Sequence, residues 1–162
     1  MNKKTKSLLY LISIIGCSNI VDEDSLIEKD SLKYSNNSSR PFTGSVVGKY
    51  VAGEDRVRGN YKGGKREGKW VFLHKNGKDS EKGEYINGNR NSEWNKWYDN
   101  GIQASNGKYE NGLREGLWKF WYNNGTKEKE INFLNDKKNG QVEIWHSNGK
   151  QKINVTYSNG IK

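Results

Sequence analysis

Large apolar and aromatic residues in this chain return at fixed positions every 24 residues, with polar residues and glycine between them. Tyr61, Tyr85, Tyr109, Phe133 and Tyr157 form one column, and Trp70, Trp94, Trp118 and Val142 a second. Leu73, Trp97, Trp121 and Trp145 form a third. Glycines keep the same step. Gly59, Gly83 and Gly107 continue as Ile131 and Val155; Gly64, Gly88 and Gly112 are broken at Asp136 and restored at Gly160. A worn earlier copy places Gly44, Val46, Tyr50 and Gly53 on the same columns. A unit this short cannot enclose a core of its own, so the pattern predicts repeats that bury their apolar face on one another.

Turn signals set the architecture. In phase with the repeat, Asn-Gly begins at 76, 87, 100, 111, 124, 148 and 159, Asn135-Asp136 fills the one gap, and the spacings alternate between 11 and 13 residues. Asn-Gly is the strongest short hairpin signal, because both central positions of a type I′ turn need positive φ. Segments such as Trp118–Tyr122 and Glu130–Phe133 have strand composition. Each repeat therefore predicts one β-hairpin. The chain predicts an all-β fold, an elongated antiparallel β-meander of about ten strands, about 45 Å long at the usual strand spacing of about 4.8 Å. Strand periodicity puts positions 70 and 72 on one face, and Leu73, Trp97, Trp121 and Trp145 on the other. Identical columns of successive repeats are expected to stack into aromatic ladders. The glycine columns let rings lie on bare backbone.

Composition adds one constraint. Hydrophobic content of only 31% would ordinarily point to disorder, but nine Tyr and six Trp, most of them at fixed columns, argue for a thin repeat sheet instead.

The amino terminus follows a different plan. Residues 1–6 are polar and basic, residues 7–15 are an apolar run, and Gly16-Cys17 follow. This is the layout of an export signal, and the run is shorter than the roughly 20 residues a membrane-spanning helix needs. Ile14-Ile15-Gly16-Cys17 resembles a bacterial lipobox. That resemblance implies a diacylglyceryl thioether on Cys17, the only cysteine, with cleavage before it. Residues 1–16 are then a lipoprotein signal peptide. Residues 17–40 read as the lipidated cysteine and a disordered polar tether, with room for a short helix near 22–33. Residues 41–162 read as the repeat domain. The net charge of +9 falls to +6 once Lys3, Lys4 and Lys6 are removed, a balance that fits a solvated surface and by itself names no partner.

Signals for catalysis are lacking. His74 and His146 lie three repeats apart in a column shared with Tyr98 and Tyr122, which marks them as ring fillers. No His-x-x-x-His, cysteine pair or nucleophile elbow occurs. Glu67 and Glu115, beside Arg66 and Arg114, read as repeated surface turn residues. The expectation is a protein without enzymatic activity, cofactor or metal.

The unit Gly-x-Tyr-x-x-Gly-x-x-x-Gly-x-Trp-x-x-x-x-x-Asn-Gly, clear at 59–77 and 107–125, resembles the bacterial variant of the MORN repeat. Ser92 replaces one glycine in the copy at 83–101, and Val142 replaces tryptophan in the next. Proteins of this kind are grouped as the YwqK-type antitoxin family. The resemblance implies protein or lipid binding and scaffolding rather than catalysis. The leading expectation is a lipid-anchored cell-envelope protein, in the outer membrane if the host is diderm. Its candidate contact face is Trp97, Trp121 and Trp145, for a protein or a glycan partner. An antitoxin or immunity protein that covers a toxin is the alternative. Nucleic acid is not expected, because an exported lipoprotein rarely meets it.

Overall fold

The computed structural model describes residues 20–162. The signal peptide and Cys17 lie outside the described residues. Ten strands run in sequence order as an antiparallel meander: β4 (Gly44–Lys49), β5 (Asp55–Lys62), β6 (Lys65–Leu73), β7 (Asp79–Ile86), β8 (Asn89–Trp97), β9 (Gln103–Glu110), β10 (Leu113–Trp121), β11 (Lys127–Leu134), β12 (Lys137–Trp145) and β13 (Gln151–Tyr157). The expected hairpin meander is therefore the observed fold. Before it come β1 (Val21–Asp22), a short 3-10 turn at Glu23–Ser25, and the small hairpin β2 (Ile27–Lys29) and β3 (Leu32–Tyr34). β1 adds to the sheet as an eleventh strand, parallel to β4, with Val21 opposite Val46.

This corrects the tether. Residues 20–34 are ordered strand and turn against the first repeats, not a disordered spacer. Leu26 is buried in one cluster with Val46, Val57, Tyr61 and Trp70. The Glu23 carboxylate accepts from Tyr61 Oη at 3.1 Å and from Arg66 and Arg56, each at 3.4 Å. The first repeat of an array has no preceding neighbour to cover it, and this segment closes it as a cap.

Two kinds of turn alternate, and only one is the predicted type. Asn87-Gly88 has φ of 51° and 85°, and Asn111-Gly112 has 50° and 88°, as a type I′ turn requires. At 74–78 the loop is longer. The Gly77 amide donates to the His74 carbonyl at 2.9 Å, the His74 amide donates to the Lys78 carbonyl at 2.8 Å, and Gly77 has φ 78°. That is a type I turn closed by a left-handed glycine, with a register shift at Phe72/Leu73 just before it. The same loop recurs at Tyr98–Ile102, Tyr122–Thr126 and His146–Lys150.

Register fixes the two faces. Val57, Phe72, Glu81, Lys96, Ser105, Phe120, Lys129, Ile144 and Ile153 form one continuous row of cross-strand partners. The residues one position along, from Arg58 through Val71, Lys82, Asn95, Asn106, Lys119 and Glu130 to Glu143, form the adjacent row on the opposite face. The core lies on the first face. Trp70, Trp94 and Trp118 are buried there, and a Cβ on Gly59, Gly83 or Gly107 would clash with the respective indole, 2.2–2.3 Å from its nearest atom.

The ladder is built differently from expectation. Identical columns are two strands apart, about 9.6 Å, beyond the 4.5–7 Å reach of ring contact. The rings alternate instead: Tyr61–Trp70 at 5.2 Å, Trp70–Tyr85 at 5.8 Å, Tyr85–Trp94 at 5.0 Å, Trp94–Tyr109 at 6.1 Å and Tyr109–Trp118 at 4.9 Å, all edge-to-face.

Candidate functional site

The third column stands on the face that the ladder leaves free. Trp97, Trp121 and Trp145 each end a strand at the register shift before a three-residue loop, paired with Gln103, Lys127 and Gln151. All three are half-buried, whereas Leu73 in the first copy is buried. Their backbone is fixed by the preceding repeat. His74 Nε2 lies 2.9 Å from the Trp97 carbonyl; Tyr98 Oη donates to the Trp121 carbonyl and Tyr122 Oη to the Trp145 carbonyl, both at 2.8 Å. His74 thus occupies a tyrosine position and makes the tyrosine contact, as its column implied. Neighbouring loops are tied as well: Asn76 Nδ2 donates to the Asp99 carbonyl and Asn100 Nδ2 to the Asn123 carbonyl.

The three indoles do not stack on one another, for the spacing reason above. Lys82 Nζ sits 4.8 Å from the Trp97 ring centroid and Lys127 Nζ 4.7 Å from that of Trp145. Asp79 and Glu130 pair with those lysines at 3.4 and 2.8 Å, so the stripe carries mixed charge. An open pocket of about 410 Å³ beside Trp97 is lined by Gly77, Lys78, Asp79, Lys82 and Gly101. Inward of the stripe, Asn95 Oδ1 accepts from Gln103 and Asn106 at 3.0 and 2.9 Å. The arrangement offers flat rings at regular intervals, each flanked by hydrogen-bonding groups. Among the described residues no group of His, Cys, Asp and Glu is placed to hold a metal ion. No helix among them is long and apolar enough to cross a membrane.

The opposite face holds residues to which the sequence pattern alone assigns no role. Arg66 and Arg90 lie over Trp70 and Trp94 at 4.5 and 4.0 Å, and Arg114 lies over Phe133 at 4.0 Å. Arg90 also grips both oxygens of Glu81, at 2.7 and 3.2 Å. Burial works against the charge of Arg66, but the hydrogen bonds it donates to the Tyr61 and Tyr85 oxygens hold its pKa above the ordinary value. Burial pushes the Tyr61 phenol up. Glu67 and Glu115, expected as surface turn residues, instead lie within β6 and β10, from where they reach the turns of the next hairpin. Each carboxylate accepts the amide of the next type I′ turn, at Asn87 (2.9 Å) and Asn135 (3.1 Å). The Glu23 cluster is invisible to repeat periodicity. Its one signal in the sequence is the acidic run Asp22–Asp24, complementary to an arginine column more than thirty residues away.

No family model matches this chain, and no curated protein does. Among solved structures, a crystal structure of a GtfA/B complex bound to UDP and GlcNAc matches at a TM-score of 0.26 and 13% identity. The match covers 88% of this chain and 32% of that one. This chain therefore spans about a third of that protein, and a likeness so slight carries no argument about activity.

Proposed function

We propose that this protein is a non-enzymatic binding or scaffold surface at the cell envelope, held to a membrane by lipid on Cys17. Its working face is the Trp97, Trp121 and Trp145 stripe, which takes a protein or glycan partner. The observation that supports this reading is the inequality of the two faces. One set of aromatics is consumed in the ladder, while the other stands half-buried without ring partners. Tryptophan of that kind is the residue type most enriched where binding energy concentrates. The resemblance of the repeat to MORN units and of residues 14–17 to a lipobox supports the same assignment.

An anchor on Cys17 would be held close to the fold by chain length alone. Cys17 and Val21 are four residues apart in sequence, a reach of at most about 14 Å. A lipidated chain would therefore carry its capped end at the bilayer surface.

The test is a crosslinking pull-down from host membranes with the native protein and with the Trp97→Ala/Trp121→Ala/Trp145→Ala variant. The expected result is a partner captured by the first and lost with the second, both remaining folded by circular dichroism. Equal capture by both would remove the stripe from the proposal. Metabolic labelling with an alkyne fatty acid should mark the native chain and not Cys17→Ser; a labelled variant would end the lipid assignment.

A further inference from the structure

The ladder face is covered unevenly along the ribbon. Over the first repeats it is closed by the chain's own residues 20–34. There Leu26 enters the apolar floor, and Glu23 sits among Tyr61, Arg66 and Arg56. Asp24 adds a second carboxylate on Arg56 at 2.7 Å. This segment shows which chemistry the face accepts: a short 3-10 turn between strands that carries an aliphatic side chain next to carboxylates.

Three repeats further on, the same columns recur with their charge open. Lys138 holds the position of Arg66, and Tyr157 that of Tyr85. Lys138 Nζ lies 4.9 Å from the Tyr157 ring, and Lys129 Nζ lies 4.7 Å from the Phe120 ring. Arg90 and Arg114 are already matched by Glu81 and Asp136. Lys129 meets only its chain neighbour Glu128, at 3.2 Å. Lys138 has no ion-pair partner among the described residues. Around these lysines Phe120 and Ile144 are half-buried and Ile153 is 39% exposed, while Val57, four repeats earlier in the Ile153 column, is 0% exposed beside Leu26. No described segment covers this part of the face.

We propose that the ladder face of the last two repeats, formed by Phe120, Lys129, Lys138, Ile144, Ile153 and Tyr157, binds an acidic, aliphatic segment of a partner protein. Aliphatic side chains of that segment lie on Phe120, Ile144 and Ile153, and its carboxylates meet Lys129 and Lys138. This surface is on the opposite side of the ribbon from the tryptophan stripe, and neither assignment depends on the other.

The chain supplies its own probe. A fluorescein-labelled peptide of residues 20–30, Ile-Val-Asp-Glu-Asp-Ser-Leu-Ile-Glu-Lys-Asp, is titrated with the full-length protein in detergent and followed by anisotropy. Saturable binding is expected. It should weaken at least tenfold with Lys129→Glu/Lys138→Glu, with Ile153→Ser, and with a peptide whose Asp22, Glu23 and Asp24 are replaced by amides. Circular dichroism and melting of both variants should match the native protein. The proposal is overturned if no saturable binding occurs or if the Lys129→Glu/Lys138→Glu variant binds unchanged. It is equally overturned if binding depends on Arg56 instead, which would mean that the peptide merely exchanges with the native cap.

Discussion

Gly83 forms the floor beneath the indole of Trp94: a Cβ on Gly83 would stand 2.3 Å from ring atoms Cδ2 and Cε2, so the ring needs the space a side chain would take. The same pairing joins Gly59 to Trp70 and Gly107 to Trp118. In the fourth repeat both members change together, to Ile131 and Val142, and both are buried as cross-strand partners. Bulk has moved from one strand to its neighbour. Gly107→Ile should therefore overpack the site and cost about 1–3 kcal/mol or more, and Trp118→Val should leave a cavity costing about 3–5 kcal/mol. The double variant should recover part of the sum, with a coupling of about 1–3 kcal/mol by urea denaturation. Strict additivity would show that the two columns do not share space.

Ser92 stands where other repeats have Gly68, Gly116 and Gly140, and it adopts the same left-handed backbone, φ 60°. The side chain has room, since a Cβ on Gly68 or Gly116 would meet nothing within 4 Å. The cost is therefore conformational, about 1–2 kcal/mol for a residue with a side chain. Ser92→Gly should raise stability by about 0.5–1 kcal/mol, the greater freedom of glycine in the unfolded chain offsetting the rest. A drop in melting temperature would refute this.

Leu26 and Glu23 should matter to stability far more than tether residues could. Leu26→Ala is expected to destabilise by about 2–3 kcal/mol, because the methyls it removes are packed in one cluster with Val57 and Tyr61. Lengthening the chain with a flexible insert before Ile20 should leave the melting temperature unchanged. If Leu26→Ala were also neutral, the cap would be no part of the fold.

Tyr98 binds one repeat to the next through a single phenolic hydrogen bond to the Trp121 carbonyl, 2.8 Å long. Tyr98→Phe should cost about 1 kcal/mol. His74→Tyr should be tolerated, since His74 already makes the tyrosine contact from the equivalent position. Unfolding curves in urea give both numbers, and a large loss in His74→Tyr would contradict the equivalence.

Asp136 replaces a turn glycine and accepts from the Arg114 side chain and, at 3.2 Å, its amide. The Arg114 hydrogen bond holds its carboxyl below the ordinary aspartate range. A depressed folded value favours the ionised form in the fold. The contribution is thus complete above the unfolded value of about 4 and is lost as pH falls through the folded one. Asp136→Asn should flatten the dependence of stability on pH below the unfolded aspartate value of about 4. Some slope should remain, because Asp55 is held low by Lys49 and Arg58 in the same way. Identical slopes in variant and native chain would count against the pairing.

The sequence by itself determined the period, the Asn-Gly reversals of the repeats and the face of each tryptophan. These are local properties: a two-residue alternation and a fixed chain length between reversals leave little choice. Tertiary structure decided which columns touch, because contact depends on strand spacing and on the register shifts after Phe72 and Lys96. It also divided the Asn-Gly turns into two kinds, since an extra residue in alternate loops changes the hydrogen-bond closure at an identical dipeptide. Least legible was the cap. Asp22, Glu23 and Asp24 read as solvated charge until Arg56, Tyr61 and Arg66, distant in sequence, are brought beside them, and only folding makes that meeting.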